Sequence, residues 1–111
     1  MKKIPMLPIK DPVTGKKIDW VKQYKKIMLP QGWRRLEHVN NSILWVNNDI
    51  DEAIGVRNDI THDWVVVHSI YEAHTHIVSC SIVKAHSATR QKAIRIALTL
   101  MKELSEEYYN D

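Results

Sequence analysis

A chain of 111 residues, 44% hydrophobic and 26% charged, has single-domain length and globular composition, which excludes the disordered and fibrous classes. No apolar run approaches the roughly 18 residues that span a bilayer, Met1-Lys2-Lys3 leads to Pro5 and Pro8 rather than to an apolar signal segment, and Cys80 has no second cysteine to pair with; a cytoplasmic protein with no membrane partner is expected. The net charge of +3 is lopsided: residues 1–35 hold ten Lys/Arg against Asp11 and Asp19, a balance of +8, which leaves −5 on the other 76 and points the N-terminal third at an anionic partner.

Residues 1–17 read as a basic extended arm. It contains three of the four prolines and one turn signal, Asp11-Pro-Val-Thr-Gly15, where proline suits the second position and glycine a positive φ. Gly15-Lys16-Lys17 lacks the first glycine and the terminal Ser/Thr of a phosphate-binding loop. Over 18–28 the spacing of Trp20, Tyr24, Ile27 and Met28 against Lys22, Lys25 and Lys26 predicts a short amphipathic helix with Asp19 at its start and Pro30 and Gly32 beyond its end.

The segment 33–84 reads as sheet. Trp33–Val39 and Ser42–Val46 are β-compatible runs separated by Asn40-Asn41, a pair suited to a tight reversal. Acidic residues then surround Ala53-Ile-Gly-Val56, which has the makings of a short edge strand. A second hairpin follows, with Trp64–Tyr71 and Ile77–Val83 rich in β-branched residues and the polar Glu72–His76 between them. By strict alternation Val78, Cys80 and Ile82 share one face, which would bury the Cys80 thiol. Over 88–107 the recurrence of Ala93, Ile94, Ala97, Leu100, Met101 and Leu104 predicts a long helix whose apolar stripe covers the hairpin, with Ala97, Leu100 and Leu104 facing Val66, Val78 and Ile82. The whole is one α+β domain over 1–111: an antiparallel sheet of three to five strands, a long C-terminal helix on one face and a short N-terminal helix. Four tryptophans without phenylalanine suggest aromatics partly at the surface, with Trp33 and Trp45 on the face away from the helix.

No constellation points to catalysis. His74-x-His76 supplies two imidazoles but His62, His68 and His86 lack ligand spacing, and one cysteine is too few for a structural zinc site; no metal or cofactor is expected. His68 alternates with Trp64, Val66 and Ile70 and reads as a hydrogen-bonded histidine at the core boundary. Ser79 and Ser81 have no glycine-flanked elbow or identifiable base. Asp49-x-Asp51-Glu52 lacks the spacing of a calcium loop.

The clearest signal is the charge order of the last helix. It starts with Arg90, Lys92 and Arg95 and ends with Glu103, Glu106 and Glu107, the reverse of what the helix dipole favours, which is useful only where an anion docks at its start. Thr89-Arg-Gln-Lys-Ala93 after a strand hairpin resembles, within residues 75–104 and at the level of fold, the last helix of double-stranded RNA-binding domains, which implies phosphate contacts from a basic helix start. The expected function is therefore a small non-enzymatic module that contacts nucleic-acid phosphates through Lys22, Lys25, Lys26, Arg34, Arg35, Arg90, Lys92 and Arg95. The alternative is a regulator or inhibitor of the kind phages and mobile elements encode, which binds an acidic host protein; a homodimer is compatible with either.

Overall fold

The computed structural model describes residues 7–39, 42–60, 63–75 and 77–109. After the N-terminal segment comes one helical turn, α1 (Trp20–Gln23), then five strands, β1 (Trp33–Val39), β2 (Ser42–Asn47), β3 (Glu52–Asn58), β4 (Trp64–Glu72) and β5 (Ile77–Ser87), and finally a 20-residue helix, α2 (Arg90–Tyr109). The strands form one antiparallel meander in chain order, β1-β2-β3-β4-β5. Among the described residues no helix is long and apolar enough to cross a membrane.

The period-2 alternation of the strands sorts side chains onto two faces. Trp33, Ile43, Trp45, Ile54, Val56 and Val66 form the face under α2, where they meet Ala93, Ile94, Ala97, Leu98 and Met101; Trp20 and Tyr24 close the same core from the side. The rings of Tyr24 and Trp45 meet edge-on at 6.2 Å. Trp33 and Trp45 thus lie beneath the helix and are buried, contrary to the surface position expected of them. Burial of an indole removes more apolar area from water than most side chains supply, which favours the covered face.

Among the described residues no helix covers the opposite face, yet Val46, Ala53 and Tyr71 are fully buried there, packed with Leu36, Leu44, Ala73 and Val78. Leu36 comes from β1 and Val78 from β5, so the two outer strands of the meander close on one cluster and the sheet is curled around it. Two register shifts in the β4–β5 ladder accompany the curl. Val66 pairs with Ala85 but Val67 with Val83, and His68 pairs with Ile82 but Ile70 with Ser79; each step adds one residue to β5. Such bulges bend a strand and exchange its faces. Hence Val78 opposes Tyr71 in the second cluster, while Ile82 opposes His68 and is 59% exposed. The expected contact of α2 with Val78 and Ile82 is corrected accordingly, and only Val66 of the three sheet residues belongs to the core under α2. The Cys80 side chain, Asn40-Asn41, His62 and His76 lie outside what is described.

Three other expectations change. The helix over 18–28 is a single turn: Trp20 and Tyr24 are buried but Met28 is 95% exposed, and Asp19 makes no side-chain cap. A segment this short, without an acid in its first turn, has no independent helical stability, and packing holds only the turn that reaches the core. Ala53–Val56 lies in β3, a central strand rather than an edge, paired on both sides by β2 and β4. Residues 7–17, expected as part of an extended arm, fold back instead. Asp11 Oδ1 accepts the Val13 and Thr14 N–H groups, Gly15 at φ 70 donates to the Asp11 carbonyl, and Lys10 bridges to Lys17. Four further bonds tie the arm down: Leu7 N–H to Thr99 Oγ1, Arg95 Nε and Nη2 to the Leu7 carbonyl, and Trp20 Nε1 to the Pro8 carbonyl.

The far end of α2 is clamped separately. Ser105 Oγ donates to the Gln31 carbonyl, and the Tyr109 hydroxyl donates to Asp49 Oδ2 in the β2–β3 turn while accepting from Asn47 Nδ2. The hydrogen bond to Asp49, with burial second, holds the Tyr109 hydroxyl pKa above its ordinary value.

Candidate nucleic-acid interface

The start of α2 is built by Ser87 and Thr89. Ser87 Oγ accepts the Thr89 N–H, and Thr89 Oγ1 accepts the Lys92 N–H as a side-chain cap. The first turn of α2 contains no acid. Backbone N–H groups at a helix start lack helical acceptors by construction, so the end carries a partial positive charge that Arg90 and Lys92 reinforce.

Because the Asp11–Gly15 turn sends the chain back on itself, Lys17 returns to the same end of α2. Lys17, Lys92 and Arg95 line one open cavity of about 560 Å³, together with Ile9, Ile18, Asp19, Trp20, Thr89 and Gln91. The Asp19 carboxylate in this wall accepts Gln91 Nε2 at 2.5 Å, and Gln91 Oε1 in turn accepts the Trp20 N–H at 2.6 Å, a relay that fixes α1 to α2. Arg95 is anchored on the Leu7 carbonyl and is half-buried, whereas Lys92 and Lys17 are exposed.

The eight cations expected to act together fall into separate places. Lys92 and Arg95 meet at the cavity. Arg90 lies 5.3 Å over the Trp64 ring and is tied to the start of β4. Lys25 and Arg35 both stand 5.8 Å from the Tyr24 ring centroid, so they form a second small group below α1. Lys22 and Lys26 are exposed beside it. Arg34 is on the other face of the sheet, its Nη2 3.4 Å from the Tyr71 hydroxyl and 3.5 Å from Asn48 Oδ1. Adjacent strand residues point to opposite faces, which separates Arg34 from Arg35 by geometry alone. Lys17 is the residue that sequence reasoning missed; the turn signal at Asp11–Gly15 was the clue that it comes back to the domain.

Nothing in the described residues suggests a second chemistry. Among them no group of three His, Cys, Asp or Glu is placed to hold a metal ion. His68 Nε2 is 3.1 Å from Glu52 Oε1 across β3 and β4, a pair at the edge of the core, and His74 is an exposed residue of the hairpin turn. Ser81 Oγ is 2.7 Å from Ser69 Oγ with no base beside it among the described residues.

No family model, curated protein or solved structure matches this chain. The likeness of Thr89–Ala93 to double-stranded RNA-binding domains therefore rests on that segment alone.

Proposed function

We propose that the protein is a non-enzymatic module that binds the phosphate backbone of nucleic acid at the start of α2. The observation that carries this reading is the convergence of Lys17, Lys92 and Arg95 on one cavity beside an acid-free helix start. The helix dipole and the three cations act there in the same direction, against the one carboxylate in the wall, Asp19, whose Oδ1 is engaged by Gln91 Nε2. Trp20 is 7% exposed and its indole donates to Pro8, so it offers no stacking platform for a base. Contacts of this kind position a backbone and do not read sequence.

The test is binding of short labelled duplexes across a salt series. Log affinity should fall linearly with log salt, and Lys17→Ala with Lys92→Ala should flatten the slope by about 1.8, two contacts at roughly 0.9 each on B-DNA. Both side chains are exposed, and among the described residues neither makes a hydrogen bond or ion pair, so the fold should persist. Absence of binding to DNA and RNA at low salt would overturn the reading, as would a slope untouched by the double substitution.

A further inference from the structure

The face of the sheet opposite α2 contains another cavity. It is open, has a volume of about 150 Å³, and has Leu44, Val67 and Val78 as apolar walls and Arg57, Ser69 and Ser81 as polar groups. Its floor lies over Gly55, which also lines it. Gly55 pairs with Leu44 on one side and Val67 on the other, and a Cβ there would stand 3.1 Å from Val67 Cγ2 and 3.5 Å from Leu44 Cδ1, between the two walls. Glycine inside a central strand weakens it and often marks a place where a ligand comes close to the backbone.

Two of the polar groups have bonding capacity that the fold does not use. Ser69 is 4% exposed, and among the described residues its hydroxyl meets only Ser81 Oγ, at 2.7 Å, in the β5 bulge opposite. A buried hydroxyl needs a partner for its proton, so Ser69 donates to Ser81, and the proton of the exposed Ser81 is left to donate into the cavity. Arg57 is exposed, and among the described residues its guanidinium has no hydrogen bond or ion pair. The two groups stand at opposite ends. Arg57 opposes Val65 and Ser69 opposes Ala53, with the Gly55–Val67 row between them. That interval is about 13 Å at the rise of a strand, shortened by the reach of the arginine side chain.

We propose that this cavity binds a short aliphatic carboxylic acid with a second oxygen at its far end. The carboxylate pairs with Arg57, the chain lies over Gly55 between Leu44, Val67 and Val78, and a carbonyl oxygen accepts the Ser81 hydroxyl. Charge complementarity selects the class: the lining holds a cation and a hydroxyl donor but no carboxylate, which favours an anion with an acceptor over an amine. Volume selects the size, since a cavity of about 150 Å³ takes a molecule like benzene and leaves no room for a nucleotide. The site shares no lining residue with the cavity of Lys17, Lys92 and Arg95, and does not depend on what that cavity binds.

Titration of the isotope-labelled chain with levulinate, a short keto acid, reads the proposal through backbone amide shifts. They should collect at Leu44, Gly55, Val67, Ser69 and Ser81, with a Kd on the order of 1 mM for a ligand of this size. Pentanoate, which lacks the keto oxygen, should bind about fivefold more weakly, and Ser81→Ala should remove that difference. The comparison of the two acids on the unaltered chain needs no variant, so it stands even where Ser81→Ala disturbs Ser69. Arg57→Gln, at an exposed side chain with no partner to lose, should weaken levulinate about tenfold and leave the rest of the spectrum unchanged. Shifts that collect at Lys17 and Lys92 instead, or no shifts at saturating levulinate, overturn the proposal. So does equal affinity of the unaltered chain for the two acids, or a Kd indifferent to Arg57→Gln.

Discussion

Gly32 is where a single methyl group should do the most damage for its size. Pro30, Gln31, Gly32 and Trp33 form a turn closed by the Trp33 N–H on the Pro30 carbonyl at 3.2 Å, and Gly32 has φ 86, the left-handed value that the third position of such a turn requires. An L-residue held there costs about 1–2 kcal/mol. A Cβ on Gly32 would also overlap the Tyr109 hydroxyl and fall 2.6 Å from Asn47 Nδ2, so it must push the ring off Asp49. A hydrogen bond to a charged group is worth about 1.5–3 kcal/mol when dry, and at this half-exposed helix end about 0.5–1.5 is reasonable. Gly32→Ala should therefore lose about 1.5–3.5 kcal/mol, a fall in Tm of roughly 6–15 °C for a domain of this length. Urea titration followed by tryptophan fluorescence measures it. In a Tyr109→Phe background the hydroxyl is gone but Asn47 Nδ2 at 2.6 Å and the ring Cζ at 2.9 Å still crowd the added Cβ, so the same change should cost less than in the wild type but at least the backbone part, about 1–2 kcal/mol. A loss below about 0.5 kcal/mol for Gly32→Ala alone would refute both the turn geometry and the clamp.

The Tyr109 clamp should also weaken with alkali. Its folded pKa lies above the unfolded value near 10, so the folded state binds the proton more tightly; its contribution is complete below about pH 10 and is lost as pH rises through the folded value. Because the chain contains three further tyrosines, the measurement is the difference between wild type and Tyr109→Phe, which should shrink above pH 10. In the core, Met101→Ala should cost about 2–5 kcal/mol because Met101 is fully buried, whereas Leu100→Ala, half-exposed on the neighbouring strip, should cost clearly less; equal losses in chemical denaturation would mean that α2 is rotated from the orientation described.

Much of this fold was legible because its signals are periodic. The stripe Ala93, Ile94, Ala97, Met101 located α2, and the β-compatible runs located the strands of both outer hairpins. Periodicity failed where a single residue was added. From sequence, Val78 and Ile82 share a face, and nothing in Ile77–Val83 announces the bulges that put them on opposite sides. The central strand β3 was hidden for a related reason: Ala53-Ile54-Gly55-Val56 is buried on both faces and so has no alternation to detect, and its acidic flanks look like loop. The site was half legible. Charge order singled out the start of α2, but distance along the chain says nothing about which cations meet. Lys17 reaches Lys92 across 75 positions because a turn returns it, while Arg34 and Arg35, adjacent in sequence, are parted by the sheet.

That separation explains how the domain tolerates a helix charged against its own dipole. Each misplaced exposed charge at the ends of α2 costs only about 0.3–1 kcal/mol. The helix is held instead by Ala93, Ile94, Ala97, Leu98 and Met101 in the core, by Arg95 on the Leu7 carbonyl near one end and by Ser105 and Tyr109 near the other. Its packing therefore fixes where the helix start points, and the electrostatic cost there is a small sum that one bound phosphate would offset. Cations that only stabilised the fold would have been better placed on the last turn, where Glu106 and Glu107 stand. Their position at the start, beside Lys17 returned there by the Asp11–Gly15 turn, is what the proposed phosphate contact would use.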